Sequence, residues 1–473
     1  MMAALLILLL TLTAFCSASD KGYYTAAVYE HALKEKTARS FVSRKEALDM
    51  MNSNLDILEY QAIIAKGKQA DIFVFPEYGI SGELFGLLDL DSYLEQIPQP
   101  DGMYCPCSKD YVQKGEEVLH RLSCIASNLS IYVAANMGDK VRCRDHDPDC
   151  PLFGYYHYNT EVVFDRNGCL VAKYHKQHLF QHERLLWDEP KEVEFSFFDT
   201  EFGRFGLMIC FDSVYKSPGT VLVETFNVTN IIFSTLWTNV YPYYVSVAYH
   251  SGWARTMGVN LLSSNIHNIP EQVVGSGIYG PQAILNYTFN VTTDEGVLVI
   301  AQVPINNETK EEIIVSQVSK ESQPTAVSDS KSFHSHIFGD DFLFTPLESN
   351  SGNITLCNGN ICCHLHYARE GNTQIYALGI FDGTHYLQGK YYLEVCLLTT
   401  CSKDGKVCGT LPGNPAESFL FYNLTSLMNT IYTYPEVVSG DRFFSDWQFT
   451  NKGYVKTIQG SNQNVSSVVL LEE

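Results

Sequence analysis

Three short segments of this chain place a reactive side chain directly after an apolar run. Glu77 follows D-I-F-V-F-P, Lys176 follows L-V-A-K-Y-H, and Cys210 closes R-F-G-L-M-I. A thiol with an ordinary pKa of about 8.5 needs a base or a nearby cation to act as a nucleophile at neutral pH. A glutamate can take the thiol proton, while a lysine can lower the thiol pKa and stabilise the oxyanion of a tetrahedral intermediate. Together they suit attack on an amide or nitrile carbon, release of an amine or ammonia, and hydrolysis of the resulting thioester. That chemistry requires no metal and no organic cofactor.

Cys210 is also the cysteine left over when the others are paired. The chain has 14 cysteines. Cys16 lies in an N-terminal stretch where apolar Ala3 to Leu12 is followed by small residues, the pattern of a secretory signal cut after Ala18. Cys105, Cys107, Cys124, Cys143, Cys150 and Cys169 form an early group, and Cys357, Cys362, Cys363, Cys396, Cys401 and Cys408 a late one. Each group is even and can close on itself, which leaves Cys210 alone between them. Taken singly, the three reactive residues have plainer readings: a small core residue for Cys210, a turn for Glu77, a solvated basic face for Lys176.

The elements that would carry them alternate. Short Ile/Val/Phe-rich runs at Ala70 to Phe75, Ile131 to Ala135, Glu161 to Phe164, Leu170 to Ala172, Gly206 to Cys210, Ile231 to Ser234 and Asn260 to Ser264 read as buried strands. Between them Lys45 to Lys66, Glu116 to Ser127, Thr220 to Thr225 and Tyr243 to Thr256 have helical spacing. This alternation predicts an α/β domain, in which strand ends form the crevice where ligands bind. A polar stretch from 308 to 340 reads as a linker. Beyond it, Ile375 to Phe381, Tyr391 to Leu398 and Phe419 to Leu424 are strand-like and separated by turn residues, so 341 to 473 reads as a disulfide-tied β-rich module.

A length of 473 residues with 45% hydrophobic and 18% charged residues can bury a large core. The net charge of −21 excludes a nucleic-acid or anionic-membrane partner that needs a basic patch. Eight N-x-[S/T] sequons, at Asn128, Asn227, Asn286, Asn290, Asn307, Asn353, Asn423 and Asn464, fit a secreted glycoprotein. No stretch after the leader has the length of a membrane span, and no C-terminal lipid-anchor signal is recognised. The run C-C-H-L-H from Cys362 could be taken for a metal cluster, but adjacent cysteines in an even-numbered secreted module favour disulfides. The spacing of a serine nucleophile elbow and the surround of a papain-like cysteine are both absent.

The segments F-P-E-Y-G-I-S-G, Y-H-K-Q-H-L-F, F-G-R-F-G-L-M-I-C-F-D, L-L-S-S-N-I-H and V-G-S-G-I-Y-G-P resemble the nitrilase superfamily, in its branch of vanins and biotinidase. The late segments C-N-G-N-I-C-C-H-L-H-Y and Y-A-L-G-I-F-D-G-T-H-Y-L-Q-G-K-Y-Y-L-E-V-C resemble the accessory domain of that branch. The resemblance implies an αββα sandwich over 19 to 307 after a leader at 1 to 18, with the β-rich module following. It implies Glu77 as general base, Lys176 as cationic stabiliser, Cys210 as nucleophile, and the Phe211 N–H as a further oxyanion donor, with Asp212 as a local orienting residue. The implied activity is hydrolysis of the pantetheine amide, with biotin amides as the alternative and a non-catalytic glycoprotein as the reading from another class. Monomer and dimer are both compatible with it.

Several positions depart from the branch. Tyr78 stands where an aspartate is usual, Ser81 where an aromatic or histidine is usual, and Ala248 where an acidic residue is expected. The run S-T-L-W-T-N from Ser234 to Asn239 replaces P-T-A-W-M-N. These changes bear on substrate preference and pH profile more than on reaction class. The acidic group that the family carries shortly after the lysine falls at His182 and Glu183 without deciding between them.

Overall fold

The computed structural model describes residues 22–34, 40–84, 90–305 except 102 and 110, and 331–472 except 372, 411–416, 430–431, 440–441, 444–446 and 453. The expected leader, Asn307 and most of the expected linker lie outside the described residues.

Two six-stranded sheets form the first half. In the first sheet β1 (Tyr23–Glu30), β2 (Ile72–Val74) and β3 (Tyr132–Arg142) run parallel, and β4 (Tyr155–Phe164) and β5 (Leu170–His175) extend it antiparallel. The second sheet repeats the scheme. After the antiparallel edge strand β6 (Phe197–Thr200), β7 (Gly203–Ile209), β8 (Asn230–Thr235) and β9 (Asn260–Asn265) run parallel, and β10 (Ser276–Tyr279) and β11 (Ile284–Thr288) extend it antiparallel. A last strand, β12 (Val297–Pro304), returns to pair with β1.

Parallel neighbours need crossovers, and four helices supply them: α1 (Arg44–Gly67), α2 (Glu117–Leu129), α3 (Gly219–Phe226) and α4 (Ser246–Met257). A capping box between Ser43 and Glu46 starts α1. Strand periodicity sorts the side chains. Ala27, Tyr29, Phe73, Phe75 and Val133 pack under α1 and α2, whereas Ala26, Val28, Ile72, Val74 and Ala134 meet the second sheet. With α3 and α4 on the far side, the layers read αββα, as expected. Sequence patterning missed β1, β6, β10, β11 and β12. Helix α4 begins three residues later than expected because Tyr244, at φ 60°, has left-handed backbone that a helix cannot include.

The second half is a seven-stranded antiparallel sheet packed on a five-stranded one. Its central strand, Tyr391–Cys401, is buried on both faces. Cys396 and Leu398 point into the module, while Leu393, Val395 and Leu397 join the core shared with the first half. Two strands along, beyond Ser467–Glu472, the strand Thr433–Ser439 lies on α4 so closely that a Cβ on Gly252 would come within 2.5 Å of the Pro435 carbonyl oxygen. The module's first strand, Phe333–Ile337, falls inside the stretch read as a linker; as an edge strand with one wet face it carries the polar alternation F-H-S-H-I.

The cysteines pair within their groups: Cys105–Cys169, Cys107–Cys124, Cys143–Cys150, Cys357–Cys362, Cys363–Cys396 and Cys401–Cys408. The thiols of the C-C-H-L-H run are thus taken up in disulfides, and Cys210 is free. Among the described residues no helix is long and apolar enough to cross a membrane.

Candidate active site

Glu77, Lys176 and Cys210 leave the C-terminal ends of β2, β5 and β7 and line one cavity of about 310 Å³ between the sheets and the second module. The Lys176 ammonium donates to Glu77 Oε1 and to Glu183 Oε2, at 2.7 Å each. All three groups are buried. Burial alone would pull the lysine pKa down, but Glu183 and Glu77 hold it above its ordinary value. The position after the lysine is therefore filled by Glu183, in the turn Gln181–Leu185, while His182 is exposed at the pocket wall.

The second oxygen of Glu77 accepts the Leu236 N–H at 2.9 Å, and the carbonyl of the same residue lies 3.6 Å from Cys210 Sγ. The backbone of one residue thus spaces base and nucleophile. Cys210 itself adopts left-handed backbone, φ 43°, where β7 turns into the short segment Cys210–Val214. Non-glycine residues hold that conformation only when the surroundings impose it, and such strain clusters at functional sites. Asp212 supplies part of the constraint: Oδ2 accepts Tyr174 Oη and Ile209 N, and Oδ1 accepts His178 N.

The electrostatics differ from the simplest expectation. Burial pushes the Cys210 thiol well above its usual range and Glu77 raises it further, with Lys176 only partly opposing them. A lysine already flanked by two carboxylates has little field left to spare for the thiol. Burial likewise raises the Glu77 pKa, against the nearby Lys176. The resting pair is a neutral thiol beside a carboxylate more basic than usual, which is the arrangement of general-base activation rather than of a preformed thiolate.

Comparison with known proteins bears on both halves. The carbon-nitrogen hydrolase family model matches residues 30–225, and the vanin C-terminal domain model matches 331–470. Human pantetheinase is 40% identical over 460 residues, covering 96% of this chain and 89% of the relative. The chain belongs to the vanin branch of the carbon-nitrogen hydrolases. Rat biotinidase is 34% identical, covering 89% of this chain and 87% of its own. Among solved structures, an amidase from Nesterenkonia sp. overlays with a TM-score of 0.41 at 18% identity, covering 60% of this chain and 91% of that chain.

In this vanin-branch hydrolase the departure at position 78 is wired into the site. Tyr78 Oη donates to Glu183 Oε1 and accepts from Trp187 Nε1 at 2.9 Å and Asn159 Nδ2 at 3.2 Å. Asn159 Nδ2 also lies 2.8 Å from Glu77 Oε1 and 2.9 Å from Glu183 Oε1. Leu236 to Thr238 of the altered run line the cavity, while Ser81 and Ala248 are buried outside its wall. Sequence reading missed Asn159 and Trp187; the buried polar run N-T-E within β4 was the available signal. It also missed Phe338, Gln388 and Tyr391, through which the second module closes the cavity.

Proposed function

We propose that this protein hydrolyses the amide of pantetheine to pantothenate and cysteamine through a thioester on Cys210. The observation that carries the reaction class is the buried set of Glu77, Lys176 and Glu183 joined to Cys210 through Leu236. The substrate rests on the likeness to human and mouse pantetheinases, 40% and 41% identical over 96% and 89% of this chain. Sγ attacks the amide carbon while Glu77 takes the thiol proton. Lys176 Nζ and the Phe211 N–H stabilise the oxyanion, and collapse expels cysteamine, whose nitrogen receives the proton from Glu77. Water then gives its proton to Glu77 and attacks the thioester, releasing pantothenate and returning the proton to the thiolate.

The likeness to biotinidase keeps biotin amides as a second reading. Parallel assays with pantetheine and biocytin on wild type and Cys210→Ala separate them. Cysteamine release by wild type alone is expected, and absence of turnover on pantetheine from acid to neutral pH would overturn the proposal. Secretion into an oxidising compartment belongs to the same reading. The described disulfides support it, and so do exposed sequon asparagines Asn128, Asn227, Asn286, Asn353 and Asn464. A mass shift on enzymatic deglycosylation checks it.

A further inference from the structure

One buried carboxyl near the site takes no part in the chemistry above. Glu161 lies on the inner face of β4, fully buried, with Asn136 of β3 and Tyr174 of β5 as its cross-strand neighbours. No ion pair reaches it among the described residues, and Oε2 has no hydrogen-bond partner there. Its other oxygen is 2.9 Å from Ser234 Oγ, and that hydroxyl is 2.6 Å from the Phe75 carbonyl oxygen.

A serine hydroxyl has one proton to give. The Phe75 carbonyl can only accept, and it is the nearer of the two. If Ser234 donates to Phe75, the remaining contact needs a proton from the carboxyl. The groups facing Glu161 agree with this. Asn136 is engaged with Asn159 and the Tyr78 N–H, Tyr174 Oη donates to Asp212, and Lys176, just past the end of β5, is held by Glu77 and Glu183. Burial and the charge of Glu77 both push the Glu161 carboxyl upward.

We propose that Glu161 is a neutral carboxylic acid donating to Ser234, and that this relay ties β4, β8 and the end of β2 together as a positioning device for Glu77. Its two ends fall where Glu77 is held. Phe75 is two residues before Glu77, and Ser234 is two residues before Leu236, whose N–H binds Glu77 Oε2. A proton on Glu161 lets the clamp operate without a second negative charge beside the base.

The kinetic part of the test rests on the amidase reading, whereas the spectroscopic part does not. In the infrared difference between wild type and Glu161→Gln at neutral pH, the wild type should show the carbonyl stretch of a protonated carboxylic acid, and Ser234→Ala should shift that band. Glu161→Gln, neutral and able to donate, should keep the acid limb of kcat/KM and of Cys210 alkylation in place. Glu161→Ala should lower kcat about tenfold or more with KM little changed, a hydrogen bond's worth of positioning. Absence of the protonated band would overturn the proposal. So would a fall of about one pH unit or more in the acid limb of Glu161→Gln, the effect of removing an anion beside Glu77. Lack of turnover on pantetheine with the band present would count against the substrate and leave the relay standing.

Discussion

Replacing Glu436 by glutamine should make the protein more stable at alkaline pH and leave it nearly unchanged in acid. Glu436 belongs to the strand Thr433–Ser439 of the second module, is fully buried against α4, and accepts the Tyr244 N–H at 3.3 Å. Its other oxygen has no partner among the described residues. Burial pushes its carboxyl from 4.5 up to about 8, the backbone donors of Tyr244 and Val245 opposing only part of the effect. Because the folded pKa lies above the unfolded one, the fold favours the neutral form. That stability is fully present below 4.5 and is lost as pH rises through about 8. At about 1.36 kcal/mol per pKa unit, ionisation costs roughly 3 kcal/mol by pH 7 and roughly 5 kcal/mol once titration is complete. This is a sizeable part of the 5–15 kcal/mol typical of domains. Glutamine keeps the shape and an acceptor oxygen for Tyr244 but cannot ionise. Urea unfolding of wild type and Glu436→Gln at acid, neutral and alkaline pH should therefore show midpoints that diverge steadily with pH. Other buried carboxyls titrate equally in both proteins and cancel. A midpoint difference that stays constant with pH, or a wild type more stable than the variant in alkali, would refute the reasoning.

Tyr78→Phe removes the donor to Glu183 and strands Trp187 Nε1. A drop in kcat of about ten- to a hundredfold with little change in KM is expected from steady-state kinetics, the size of a lost hydrogen bond to a charged group. At Gly389 a Cβ would come within 2.7 Å of the Phe211 ring and 2.8 Å of Tyr215 Oη. Gly389→Ala should therefore lower kcat/KM while the unfolding temperature moves little. Burial raises the Glu77 pKa above 4.5, and a protonated Glu77 cannot take the thiol proton, so kcat/KM should fall with decreasing pH before 4.5 is reached. A rate flat down to that value would contradict the assigned base.

Much of this was legible because strand ends and side-chain chemistry are local properties. Glu77, Lys176 and Cys210 each announce themselves by a reactive group after an apolar run, and the α/β class follows from strands alternating with amphipathic helices, whereas the αββα layering was implied by the resemblance to the nitrilase superfamily. What could not be read is how charges balance across the cavity. The sequence supports a lysine that activates the thiol, but the lysine's two carboxylate partners arrive from the end of β2 and from the turn Gln181–Leu185, and only their simultaneous contact weakens its pull on the thiol. Tyr78 is a related case. As a sequence departure it argued for a shifted pH profile and substrate preference, yet its hydroxyl joins the network through Asn159 of β4 and through Glu183 and Trp187 around the turn Gln181–Leu185.

The second module raises the same issue on a larger scale, and its geometry argues that it is part of the enzyme rather than an appendage. Its Gln388 carbonyl accepts the Gln181 N–H at 3.4 Å, at the start of the turn that carries Glu183. Tyr391 packs edge-on against Phe211 and Tyr215, so the module also braces the residue after the nucleophile. Phe338, in the left-handed turn after Phe333–Ile337, stacks on His385 and closes the cavity from the same side. These contacts reach the two places where small displacements matter most, the carboxylate that balances Lys176 and the N–H assigned to the oxyanion. Catalysis tolerates little misplacement of such groups. Changes in the 386–391 loop should therefore tune turnover and substrate choice with the first half of the chain left untouched.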